Sequence, residues 1–138
     1  MTALMRRRMM MRVQEQEQGY TVPCYLPCNE VVEGYPSNTG QASATNAYTD
    51  MEYIGVQASR SLTLTVNGAA SSNGYLRWAY YNADKSFLSR SYTQIKNSTS
   101  STTYTQMTPS DAAFILVAIT NCSNSRQLLP LVSLEYAN

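Results

Sequence analysis

The stretch Tyr75–Leu88, reading YLRWAYYNADKSFL, decides the fold. It holds the only tryptophan, three of the eleven tyrosines and one of the two phenylalanines. Alternation puts Leu76, Trp78 and Tyr80 on one face of a strand, and Tyr75, Arg77, Ala79 and Tyr81 on the other. Asn82-Ala-Asp-Lys85 supplies turn chemistry, because short polar side chains bond their own backbone. Phe87 and Leu88 restart an apolar segment, so the stretch reads as strand, turn, strand. The face with Trp78 has the bulk of a core face. The face with Arg77 among tyrosines is either a binding surface or plain sheet decoration.

Working outward, Arg60–Val66 alternates with Leu62, Leu64 and Val66 inward, and Phe114–Ile119 is an apolar run covered on both sides. Short strands are expected from Val31, at Tyr53–Val56, over Ser89–Ile95, near Thr103–Met107, and over Leu128–Tyr136 with an interruption at Pro130. Gly34–Asn46, Asn67–Gly74, Asn97–Thr102 and Pro109–Ala112 are rich in Gly, Ser, Thr, Asn and Pro, and read as connections. Gly19–Pro27, with Pro23 and Pro27, reads as an extended linker or sheet edge. No segment after Gly19 keeps a helical apolar period for three turns. Roughly eight strands spaced by about ten residues point to an all-β, antiparallel sandwich of the jelly-roll kind, in one domain. The expected division is an arm and linker over residues 1–28 and the sandwich over residues 29–138.

Charge is unevenly placed. Arg6, Arg7, Arg8 and Arg12 lie in the first twelve of 138 positions, and from Gly19 onward six basic residues face seven acidic ones. A near-neutral body argues against nucleic-acid binding by the folded part, since phosphate contacts need clustered Lys and Arg. Histidine is absent, which excludes Ser-His-Asp and Cys-His relays and His-ligated zinc. Cys24 and Cys28, with Cys122 far away, form a weak metal signal; free or buried thiols and a local disulfide are the other readings. No cofactor or metal is expected. Asp50 with Glu52, and Asp84 with Asp111, are the available pairs for two-carboxylate glycoside chemistry, but acidic residues of this kind more commonly serve turns.

The opening MTALMRRRMMM lacks the apolar run of a secretory signal, and no later run spans a bilayer. It reads as a frayed end or as an arm that orders on a partner.

The residues TDMEYIGV (Thr49–Val56), LTLTV (Leu62–Val66), YLRWAYYNADKSFLS (Tyr75–Ser89) and TPSDAAFILV (Thr108–Val117) share an order with a known group. Over residues 29–136 the chain resembles the β-sandwich modules, similar to carbohydrate-binding modules, of phage tail, baseplate and fibre proteins. Asn82 departs from that pattern, which carries Asp there. The Met-rich leader is similar to those of small virion-surface proteins of phages infecting gut bacteria. The resemblance implies a non-enzymatic head fibre or decoration protein on the virion surface, made in the host cytoplasm, without a membrane. Met5, Arg6, Arg7, Arg8, Met9, Met10, Met11 and Arg12 would attach it to capsid or other virion proteins, and a homo-oligomer, preferably a trimer, would display the sandwich. The alternative is a tail- or baseplate-associated, or secreted, carbohydrate-binding module. For glycans of a host surface or mucus, Tyr75, Arg77 and Tyr81 are the candidate contacts, because rings stack on sugars at low entropic cost. The competing reading of these three is a subunit interface or simple cover for the sheet. Trp78, by parity, belongs to the core.

Overall fold

The computed structural model describes residues 22–97 and 100–137. The arm residues Met5–Arg12 lie outside them, and so does the start of the proposed linker.

The described residues form eleven strands: β1 (Cys24–Tyr25), β2 (Val31–Glu33), β3 (Tyr35–Ser37), β4 (Gly40–Ala42), β5 (Tyr48–Gly55), β6 (Ser61–Val66), β7 (Gly74–Tyr81), β8 (Phe87–Ile95), β9 (Thr102–Met107), β10 (Phe114–Thr120) and β11 (Val132–Tyr136). One sheet has the order β1-β11-β6-β9, and the facing sheet has the order β2-β5-β10-β7-β8. Each pairing is antiparallel. From β5 onward the chain changes sheet at each step except β7 to β8, which form a hairpin. Early strands therefore lie beside late ones, β1 on β11 and β5 on β10. This wrapping is the jelly roll, with β2 as an added edge.

Parity explains the core. In β6, Leu62, Leu64 and Val66 are fully buried while Ser61, Thr63 and Thr65 are only half-buried. In β7, Leu76, Trp78 and Tyr80 face Ile115, Val117 and Ile119 of β10 across the ladder. These side chains join Leu64, Val66 and Leu134 from the other sheet in one core. The central strand β10 is covered on both faces from Ile115 onward, as its unbroken apolar run requires. At the β7–β8 turn, Asn82 Oδ1 accepts the backbone N–H groups of Asp84 (2.9 Å) and Ser86 (3.0 Å). Lys85 takes the left-handed conformation at φ 61. Asn82 thus does by itself the local bonding a carboxylate would do there.

Three sequence expectations need correction. Residues 34–46, expected to be a connection, contain the hairpin β3–β4. Its strands have three residues each, too short for a period to register. Its order comes from turn bonds, Ser37 Oγ donating to the Gly40 carbonyl at 2.9 Å, and from packing over the outer face of the five-stranded sheet. Gly34, at φ 100, has no room for a Cβ, which would lie 2.7 Å from the Ala42 carbonyl oxygen. The last strand starts at Val132 rather than near Leu128. Residues Ser125–Leu128 form a helical turn, α1, and Leu129–Leu131 a 3-10 turn around Pro130, which cannot donate to a ladder. The sheet also begins earlier than residue 29, and of the two readings of Gly19–Pro27 it is the sheet edge that Cys24–Tyr25 bear out. Cys24 pairs with Leu134, the Leu26 N–H donates to the Val132 carbonyl at 3.0 Å, and Leu26 is buried in the core.

Candidate functional site

The outer face of β7 carries Tyr75, Arg77, Ala79 and Tyr81, as alternation requires, but they divide between two clusters. At the Tyr75 end, the hairpin register sets Tyr92 of β8 directly across from Arg77. The guanidinium of Arg77 lies 5.2 Å from the ring centre of Tyr75 and 5.2 Å from that of Tyr92. Tyr35, delivered by the β3–β4 hairpin, adds a third ring at 4.4 Å. The rings of Tyr75 and Tyr92 meet edge to face at 5.5 Å. Arg77 Nε donates to Thr120 Oγ1 at 3.1 Å, and the Thr120 hydroxyl in turn bonds Asn121 Oδ1. One edge of the guanidinium is thereby pinned and its faces are held by rings. Beside it opens a cleft of about 200 Å³ lined by Tyr35, Pro36, Arg77, Arg90 and Tyr92, with Trp78 and Ser91 at its floor. Tyr92 is 59% exposed, so its ring is available to a ligand.

Tyr81 belongs to the other cluster. Its ring meets Tyr53 at 5.2 Å and Phe87 at 6.0 Å, and Tyr53 meets Phe114 at 5.8 Å, all edge to face. Lys85 Nζ caps the group, 4.8 Å from the Tyr53 ring. With Ala79 and Leu116 these side chains make a small second core outside the sheet. Burial, and then the neighbouring Tyr53, raise the Tyr81 phenol above its ordinary pKa. Tyr81 is thus a packing residue, separate from the Arg77 cleft. Tyr35, Arg90 and Tyr92 were missed in the sequence reading. Plain counting from the Asn82 turn sets Ser91 and Ser89 opposite Arg77 and Ala79; a bulge between Tyr80 and Tyr81 shifts the register by one and brings Tyr92 and Arg90 there instead, which alternation alone does not encode. Tyr35 gave no signal, since it arrives from a hairpin that composition alone reads as a loop.

Trp78 is 1% exposed and part of the core, as its parity required. Its indole packs on Tyr104 of β9 at 5.2 Å and a tilt of 39°, where the open edges of the two sheets meet. Nearby, the Tyr80 hydroxyl donates to Gln106 Oε1 at 2.5 Å, while Gln106 Nε2 donates to the Leu62 carbonyl at 2.6 Å. Burial, reinforced by Tyr136, pushes the Tyr80 phenol well above its usual range.

Of the carboxylate pairs, Asp50 takes a structural position. Asp50 is 1% exposed and accepts the backbone N–H groups of Cys28 and Glu52, each at 3.1 Å, beside the bulge in the β5–β10 ladder. Asp84 sits in the Asn82 turn, and Asp111 is exposed in the turn before β10. No disulfide joins Cys24, Cys28 or Cys122, so the local disulfide reading does not hold. Among the described residues no group of three or more His, Cys, Asp or Glu side chains could hold a metal ion. Burial, with Asp50 and then Glu52 nearby, pushes the Cys28 thiol up to about 11.

Two other surfaces compare poorly as sugar platforms. A larger concavity of about 440 Å³ lies at the base of the β3–β4 hairpin. It is lined mainly by small polar residues and backbone, with Tyr48 its only ring and no cation. On the outer face of the opposite sheet, Thr63 bonds Thr105 at 2.8 Å and Thr65 bonds Thr103 at 3.3 Å, so these hydroxyls satisfy one another. No protein-family model matches the chain, and no curated protein matches it.

Proposed function

We propose that this chain is a non-enzymatic phage structural protein, a head fibre or decoration protein. Its N-terminal arm, Met5–Arg12, attaches to the particle, and its jelly roll displays a glycan-binding cleft. The single observation that carries the binding half is Arg77, pinned by Thr120 and framed by Tyr35, Tyr75 and Tyr92 beside an open cleft. Sugar recognition needs a flat ring for the apolar face of a pyranose and a planar donor for its hydroxyls, both already held in place before binding. Tyr92 offers the ring and Arg77 the fork. Jelly rolls recur in lectin and viral structural domains, but fold names no ligand, and the attachment half rests on the leader's resemblance alone.

The cleft is tested by probing an immobilised glycan panel with the full chain and with Arg77→Ala and Tyr92→Ala. Both variants should keep wild-type circular dichroism and lose binding. A wild-type chain that binds no glycan, or variants that bind as well as wild type, would sink the assignment.

A further inference from the structure

The cleft is rich in cationic donors and has no acid to answer them. Arg77 uses Nε on Thr120, and its two terminal nitrogens make no hydrogen bond or ion pair among the described residues. Arg90 has no such bond or pair there either. Arg90 stands opposite Ala79 on β8, while Tyr92 stands opposite Arg77. The two arginines therefore occupy diagonal positions on one face, where side chains lie roughly 7–8 Å apart. No carboxylate lines the cleft. Like charges at diagonal positions repel one another, and among the described residues no carboxylate of the cleft offsets that repulsion. A bound anion would do so.

We infer that the cleft between Tyr35 and Tyr92 takes an acidic sugar, its carboxylate or sulfate group held by Arg77 and Arg90 and its ring against tyrosine. This rests on the glycan reading above and narrows it. The fork of Arg77 is oriented by Thr120 and by three rings, so little freedom is lost when it meets a planar carboxylate or a sulfate. Arg90 is exposed and can swing to the second oxygen. Tyr92 and Tyr35 flank the same opening and provide the stacking surface.

The experiment uses the full chain and three matched sets of oligosaccharides: sialylated lactose, a uronate disaccharide and a 6-sulfated disaccharide, each beside its neutral parent. Affinity is measured by titration at low and high sodium chloride. Charge-assisted bonds to one anionic group predict a preference of roughly ten- to a hundredfold for the acidic member. Raising salt from about 50 to 500 mM should shrink that preference, because exposed charges are screened. Arg90→Gln, on an exposed side chain, should remove most of the preference without altering the melt. Arg77→Lys, which keeps the charge and loses the fork, should weaken acidic binding as well. Which acidic set wins separates carboxylate from sulfate. Equal affinity for acidic and neutral members overturns this inference and leaves glycan binding standing. Binding of neither overturns both. Acidic binding that survives Arg90→Gln and Arg77→Lys unchanged puts the site elsewhere and also overturns it.

Discussion

Trp78 and Arg77 are adjacent in sequence and face opposite sides of β7, so truncating each should damage a different property. The Trp78 indole is 1% exposed, between Leu76 and Tyr80 on the core face and against Tyr104. A buried tryptophan removes roughly 150–250 Å² from water, and at about 25 cal/mol per Å² that is roughly 4–6 kcal/mol. The alanine that replaces it recovers a fraction of this, so Trp78→Ala should cost about 3–5 kcal/mol, the range for large aromatic truncations. A domain this size has about 5–15 kcal/mol in hand, so the variant should still fold, with its midpoint lowered by roughly 10–20 °C. Arg77→Ala loses one side-chain hydrogen bond and a half-buried cation–ring arrangement, together about 1–2 kcal/mol. Thermal and urea melts read the stability, and the glycan panel reads the binding. Trp78→Ala should fall far in the melts, and Arg77→Ala should fall far on the panel. If Trp78→Ala melted within a few degrees of wild type while losing its ligand, the face assignment of β7 would be inverted.

Two further outcomes follow from buried ionisable groups. Tyr80, Tyr81 and Tyr136 all have phenols raised above the ordinary value. The unfolded chain therefore ionises them first, and their contribution is complete below pH about 10 and lost as pH rises through their folded values, by up to about 1.4 kcal/mol per unit for each. Urea midpoints measured from pH 7 to 11.5 should fall beyond pH 10, less steeply in Tyr80→Phe, and a flat profile through pH 11 would contradict the burial of these hydroxyls. Cys28, with its thiol raised to about 11 against an ordinary 9.0, should react with iodoacetamide at pH 8.5 about a hundredfold more slowly than in urea, since the thiolate is the nucleophile. Peptide mass spectrometry resolves its rate, and labelling as fast as in urea would refute the assigned environment.

Much of the fold was legible because long strands carry period-two signals. Leu62, Leu64 and Val66, the Leu76–Trp78–Tyr80 face, the Asn82 turn and the apolar run of β10 are where alternation and turn chemistry put them. The misread segments share a cause: they are short and held by distant partners. β1 has two residues and exists through β11, and β3–β4 exists through its own turn and the sheet beneath it. No local pattern encodes either. Half of the candidate site was visible for the same reason. Tyr75 and Arg77 share a face by parity and do come together. Tyr81 shares that face too, but four residues of extended chain, about 13 Å, separate it from Arg77, and a second apolar cluster claims it. Tyr35 enters the cleft only because the hairpin folds over the sheet, a tertiary event that a one-dimensional reading does not contain.

The central claim joins a displayed cleft to an attaching arm, and the arm is where it is most exposed to test. Arg6, Arg7, Arg8 and Arg12 offer planar forks to a partner surface, while Met5 and Met9–Met11 offer adaptable apolar contact. Several such arms on one oligomer would add weak contacts into durable attachment. The full chain and a chain lacking residues 1–12 are expressed in a host producing the particle, and their amounts in purified virions are compared. The account predicts that the full chain is incorporated and that the shortened chain stays folded, keeps its glycan affinity and is absent from virions. Equal incorporation of the two, or absence of the full chain from particles, would contradict it.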